Sequence, residues 1–374
     1  MNLLSIYERI FNDVFCKTFS RYFFVFLCGG ADKKNIRNKI RSLLEAKELQ
    51  VLYPEDLFMD MLNRDKKTDL LEYENLLADN SDVVCIICES MGSAVELGAF
   101  IQNSKLEQKM IVAVLYGDLI MRLSNFTRAY EKDKQTDALK QKWIEECQKR
   151  VLKSSSKLFR QTVDEIIEDF SKIELLDIQK PKVGIVGEIL VKYLPQANNN
   201  LQDLLEKEGC EVVMPDLTDF VLYCLRNEYH KGNFLSKSKF TGFMCNMGVN
   251  LIEHYRKYIR NQLIKSKFTH PLKIQELEDY AQEVVSLGNQ YGEGWLLTAE
   301  MIELIHINAN NIVCIQPFGC LPNHITGKGV IKRIRQLYPQ ANIIPIDYDP
   351  GASEVNQINR IKLMLSQAKE KINN

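Results

Sequence analysis

Short apolar runs alternate with charged, helix-like stretches over the first third of the chain. Phe23-Phe24-Val25-Phe26-Leu27-Cys28 is continuously apolar, as expected of a strand covered on both faces. Gly29 and Gly30 end it, and a charged helix is expected from about Lys34 to Lys47. Gln50-Val51-Leu52-Tyr53 reads as a second strand, closed by Pro54. Thr68 to Leu77 carries Leu70, Leu71, Tyr73, Leu76 and Leu77 at helical spacing. A third strand is expected over Val83–Cys88, a helix over Val95–Gln102 and a fourth strand over Ile111–Leu115. Such alternation predicts a parallel sheet with crossover helices.

Beyond Leu115 the pattern changes. From about Asp137 to Lys172 the chain is highly charged with helical character, and Lys153-Ser-Ser-Ser-Lys157 marks a turn between two long helices. Lys182-Val-Gly-Ile-Val-Gly187 then opens a new strand-turn unit, and Glu211–Met214 and Asn311–Ile315 read as further strands. Ile343-Ile344-Pro345-Ile346 is another, whose proline suits an edge or a bulge. Helices are expected over about Phe243–Lys265, Lys273–Leu287 and Leu296–Ile307. The fold class is α/β: two open parallel-sheet units, a charged helical connector and a helical insertion.

Composition adds constraints. The 374 residues suggest two or three domains. Lys plus Arg (48) nearly balances Asp plus Glu (49), so a net charge of -1 gives no general attraction to nucleic acid or anionic membrane. The most apolar early stretch, Tyr22–Cys28, falls well short of the ~20 residues of a spanning helix. A cytoplasmic protein without a membrane partner is therefore expected. The ten cysteines are then reduced thiols, mostly packed as small apolar residues. Cys85 and Cys88 have a redox-like spacing, but residues three apart on a strand face opposite sides of the sheet.

Open parallel sheets bind ligands outside the carboxyl ends of their strands. In the first piece Cys28-Gly29-Gly30 ends strand one, while Glu89-Ser90-Met91-Gly92-Ser93-Ala94-Val95-Glu96-Leu97-Gly98 ends strand three and opens a helix. Asp82 opens strand three, at the end opposite the glycine loops. Glycine lets backbone approach a ligand, Ser93 can cap the helix, and Glu96 falls in its first turn.

On these residues, and on the Ala78-Asp79-x-x-Asp82 strand start, residues 20 to 115 resemble the nucleoside deoxyribosyltransferase-like proteins, most of all the branch found as effectors of bacterial retron defence systems. The resemblance implies that Glu96 attacks the anomeric carbon of a nucleoside, that Asp82 contacts the base, and that Gly29 and Gly30 hold the ribose side. Glu89 and Ser93 complete the expected substrate-binding set. Cleavage of an N-glycosidic bond passes through an oxocarbenium-like state that a carboxylate can stabilise or capture, and it needs no cofactor. A homo-oligomer and, by analogy, a retron reverse transcriptase with its DNA and RNA are the implied partners, and a nucleoside, nucleotide or NAD the substrate.

From Tyr116 onward the chain resembles activase-related proteins of the 2-hydroxyacyl-CoA dehydratase system. The matching motifs include Tyr116-Gly-Asp-Leu-Ile-Met-Arg122, Lys182-Val-Gly-Ile-Val-Gly-Glu188, Pro215-Asp-Leu-Thr-Asp-Phe220, Leu287-Gly-Asn-Gln-Tyr-Gly-Glu-Gly-Trp295 and Gln316-Pro-Phe-Gly-Cys-Leu-Pro-Asn-His324. This resemblance implies an ATP-dependent activator protein as partner and Cys320 as a ligand of a [4Fe-4S]-type cluster. One cysteine cannot hold a cubane, which takes about four ligands. His324 reads as a ligand, an acid or a hydrogen-bonded loop residue, and no phosphate loop of the GxxxxGK[ST] kind is present.

The expected division is a transferase-like domain over residues 1–115 and an activase-related domain over 116–374, helical to 180 and α/β from 181. Three functions follow. The first is N-glycosidic cleavage or transfer by a retron-type defence effector or toxin with a C-terminal scaffold. The second is an iron-sulfur accessory or electron-transfer subunit. The third is a fusion with neither activity.

Overall fold

The computed structural model describes residues 24–29, 41–42, 45, 50–52, 83–87, 104–153, 155–234, 239–348 and 353–373. Its internal contacts divide the chain into two compact units, Met1–Ile111 and Val112–Asn374.

The first unit holds a three-stranded parallel sheet of β1 (Phe24–Gly29), β2 (Gln50–Leu52) and β3 (Val83–Ile87), in the order β2-β1-β3. These are the three apolar runs expected as strands. β1 is central, so its backbone hydrogen-bonds on both sides, consistent with its unbroken apolar sequence. Arg41, Ser42 and Glu45, within the expected first helix, are helical, and Arg41 Nε donates to Glu45 Oε1 at 2.8 Å. The helices expected over Thr68–Leu77 and Val95–Gln102 lie outside the described residues.

The expected fourth strand does not form. Ile111–Leu115 lies inside α1 (Ser104–Tyr130), one continuous helix. A five-residue apolar run fits either period. What decides it is the continuation: Val112, Leu115, Tyr116, Leu119, Ile120 and Leu123 are all buried, at spacings of three and four. By length and composition Lys109–Tyr130 could cross a membrane, but 56% of that window is buried inside the protein, as in a core helix.

In the second unit α2 (Thr136–Leu152) and α3 (Ser156–Ser171) flank the serine-rich turn, and Ser155 caps α3 by accepting from Leu158 N. The four-stranded parallel sheet follows: β4 (Lys182–Gly187), β5 (Glu211–Val213), β6 (Asn311–Pro317) and β7 (Asn342–Tyr348), in the order β5-β4-β6-β7. Pro345 falls on β7, an edge strand, where its missing N–H costs no ladder bond on the open side. The helices are α4 (Ile189–Tyr193), α5 (Leu201–Lys207), α6 (Leu217–Phe234), α7 (Lys239–Ile264), α8 (Ile274–Gln282), α9 (Gly294–His306), α10 (Leu321–Thr326), α11 (Ile331–Leu337) and α12 (Glu354–Asn373).

Strand alternation sorts the core into two layers. Val183, Ile185, Val313 and Ile315 pack with Leu201, Leu205, Ile361 and Leu365 from α5 and α12. Val186, Ile312 and Cys314 pack on the opposite face with Leu297, Met301, Leu304 and Ile334 from α9 and α11. Gly184 admits α9 to the sheet, since a Cβ there would lie 2.4 Å from Leu304 Cδ1. Beside this sandwich, aromatic contacts join α1, α3 and α7: Tyr116 stacks on Phe159 at 5.6 Å, and Phe159 meets Tyr255 edge-on at 5.0 Å.

Candidate functional site

In the first unit the chain steps from β1 to β2 on one side and then crosses to β3 on the other. The carboxyl ends of β1 and β3 therefore flank a switch point, the place where open parallel sheets hold their ligands. Gly29 closes β1 there and pairs with Ile87, the last residue of β3. The structure thus brings Gly29 beside the strand end that runs on toward Glu89. At the far end of the same ladder Val83 pairs with Val25, so β3 begins, just after Asp82, at the edge remote from Gly29. Gly30, Asp82, Glu89, Ser93 and Glu96 lie outside the described residues.

The second sheet has its own switch point between β4 and β6. Gly187 ends β4 with φ +147°, and a Cβ there would fall 1.8 Å from the Ile315 carbonyl oxygen, so only glycine fits. The turn lets Glu188 N donate to Ile315 O at 3.0 Å. The Glu188 carboxylate turns back to cap α4, accepting from Val191 N at 2.8 Å. It is therefore a structural cap and not part of a phosphate cradle. Glu293, just before α9, accepts from Ile189 N at 3.0 Å, and burial raises its pKa.

Beyond β6 the chain runs through exposed Phe318 and through Gly319, at φ +76°, to Cys320, the half-buried residue before α10. The Cys320 carbonyl accepts from His324 Nδ1 at 2.8 Å. The other imidazole nitrogen, Nε2, lies 3.9 Å from Asp347 Oδ1. Lys328 Nζ lies 3.5 Å from Asp347 Oδ2, and Gln316 Nε2 donates to Asp347 Oδ1 at 2.7 Å. His324 thus lies in the short helix α10, hydrogen-bonded back to the Cys320 carbonyl and beside a carboxylate. Cys314 is fully buried in β6, and burial pushes its thiol up to about 12, so it is a neutral core group. Among the described residues no three His, Cys, Asp or Glu side chains gather as a metal site. The described donors around Cys320 do not fit a cubane.

A buried ionic cluster between α1, α6, α7 and α9 was not foreseen. Asp118 on α1 caps α6, accepting from Leu217 N at 2.9 Å and Thr218 N at 2.8 Å. Arg122 Nη2 donates to Asp216 at 2.7 Å, and Arg256 Nη2 to Asp219 at 2.5 Å. Glu303 closes the group with one oxygen lacking a partner. Burial, reinforced by Asp219 and Asp216, raises its pKa. Nearby Glu300 accepts from Lys192 at 2.8 Å, and burial pushes its carboxyl up to about 7. The acids suggest proton chemistry, but the void beside Asp118, Arg122, Asp216 and Arg256 is about 10 Å³, room for one water and no substrate. This cluster clamps helices. Its sequence signal was present in Tyr116–Arg122 and Pro215–Phe220, where charges interrupt otherwise buried faces.

Comparison with known proteins bears on the first unit. Residues 33–116 match the family described as STM3845 retron effector protein. A protein of Escherichia coli named "Retron Ec86 putative ribosyltransferase/DNA-binding protein" is 41% identical over 90 residues, which span 23% of this chain and 29% of that protein. No solved structure matches the chain. The segment 33–116 is therefore similar to retron effector proteins, and the family match ends within α1.

Proposed function

We propose that the first unit cleaves or transfers an N-glycosidic bond of a nucleoside, nucleotide or NAD, as a retron-associated effector. The observation that carries this reading is the retron effector match over residues 33–116, a span that contains Asp82, Glu89, Ser93 and Glu96. The position of Gly29 at the switch point of the first sheet is compatible with it.

In this reading Glu96 supplies the carboxylate beneath the sugar. As the C–N bond breaks, the electron pair leaves with the base and positive charge develops at the anomeric carbon. The carboxylate stabilises that charge or bonds to the carbon, and water or a second base then takes the sugar. Ser93 and the helix expected after it from sequence would present N–H groups to sugar oxygens. Gly29 and Gly30 let the ribose approach backbone. Asp82 is retained as the base contact, a role that requires the base to reach the start of β3. Retron reverse transcriptase and its nucleic acid would hold the activity in check until triggered. The second unit acts as scaffold.

Chromatography after incubation of the full chain with NAD and a panel of nucleosides and deoxynucleotides tests the reaction class. Free base alone marks a hydrolase, and exchange of an added second base marks a transferase. Neither product from any donor would refute the reading.

A further inference from the structure

At the amino-terminal edge of the second sheet, opposite to its switch point, a groove of about 560 Å³ opens between α1 and the irregular segment that leads into β4. Its volume falls within the ~300–1,000 Å³ usual for small-molecule sites. One wall is aromatic. Phe126 and Tyr130 stand one turn apart on α1, half-buried, with ring centres 5.3 Å apart. The facing wall carries Leu176 and Ile178, left 44% and 47% exposed, which is apolar surface available to a ligand.

The polar lining has one sign. Lys180 and Lys182 border the groove, and no Asp or Glu is among its lining residues. Lys182 is held loosely by Glu211 at 3.6 Å. Lys180 has no carboxylate partner among the described residues; its ammonium lies 6.0 Å from the centre of the Tyr130 ring. Five carboxamides complete the lining, and Asn310 Oδ1 among them is buried without a hydrogen-bond partner. A buried amide oxygen without a donor is costly unless something fills the role.

We propose that this groove binds a nucleoside phosphate. A flat ring would lie on the Phe126 and Tyr130 face and cover Leu176. The phosphate would sit at Lys180 and Lys182, and the carboxamides of Gln179, Asn308, Asn310 and Gln340 would meet the donor and acceptor edge of the base, as amides do in base recognition, while Asn311 stays bonded to Lys182 O and Asn342. A fatty acid would suit the apolar wall and the lysines but would leave the carboxamides unused. The role proposed for the groove is binding alone. It is independent of the N-glycosidic reading.

Photolabelling of the full chain with 8-azido-AMP, followed by peptide mapping, tests this. The expected label falls on Phe126–Tyr130 or on residues 175–182 and is displaced by AMP but not by orthophosphate or decanoate. Lys180→Glu and Leu176→Asp, each with the parent's circular dichroism, should weaken labelling by about tenfold or more, the scale of one charge-assisted hydrogen bond. Absence of label, label confined to the first unit, unchanged labelling in both variants, or displacement by decanoate in preference to AMP would each overturn the proposal.

Discussion

Glu303 is nearly enclosed, with Asp216 and Asp219 pushing its proton on and Arg122 and Arg256 pulling it off. Burial wins, so the folded state holds this proton at a pH where the unfolded chain has released it. Between the ordinary carboxylate value and the raised one the folded state binds more protons, and stability is lost as pH rises through that window. Glu303→Gln should therefore match the parent's thermal midpoint near about pH 5 and exceed it near about pH 8 by roughly 2 °C or more. Parallel melting curves across that range would contradict the assignment. Gly187 is a second informative residue. Gly187→Ala forces a Cβ into the Ile315 carbonyl and should lower stability in urea unfolding by roughly 2 kcal/mol or more. The charge cluster was not legible residue by residue, because Asp118, Asp216 and Arg256 are far apart in sequence and nothing local says that they meet.

At the scale of elements, the strands were legible wherever Val and Ile run together between turn residues, as in Val83–Ile87 and Asn311–Ile315. Pro345 correctly pointed to an edge. Ile111–Leu115 misled because a short apolar run has no period of its own, and only its continuation to Leu123 reveals the helix. Burying six apolar side chains on one face makes α1 a core element of the second unit. Leu123→Ala, at a fully buried position, should cost about 2–5 kcal/mol in denaturant unfolding. A loss below about 1 kcal/mol would show that α1 is peripheral. The cap on α6 is another element-scale joint: Asp118→Ala strips partners from Leu217 N and Thr218 N, and amide exchange in the first turn of α6 should accelerate.

For the whole molecule, each of the two parallel sheets has a switch point, marked by Gly29 in the first and by Gly187 in the second. The α/β class was legible from the alternation of runs, and the end of β1 from Gly29; the strand order that makes a switch point there was not. Glu96, the residue expected to carry the chemistry, falls in the segment similar to retron effector proteins and lies outside the described residues. At the second switch point Glu188 caps α4, and His324 on α10 donates to the Cys320 carbonyl. The most direct measurement is base release by the full chain and by its Glu96→Gln variant, side by side on the donor that the parent prefers. Loss of release by about a hundredfold or more in the variant is the predicted result, since a neutral amide cannot stabilise or capture the developing cation. Equal release from both proteins would contradict Glu96 as the reacting carboxylate.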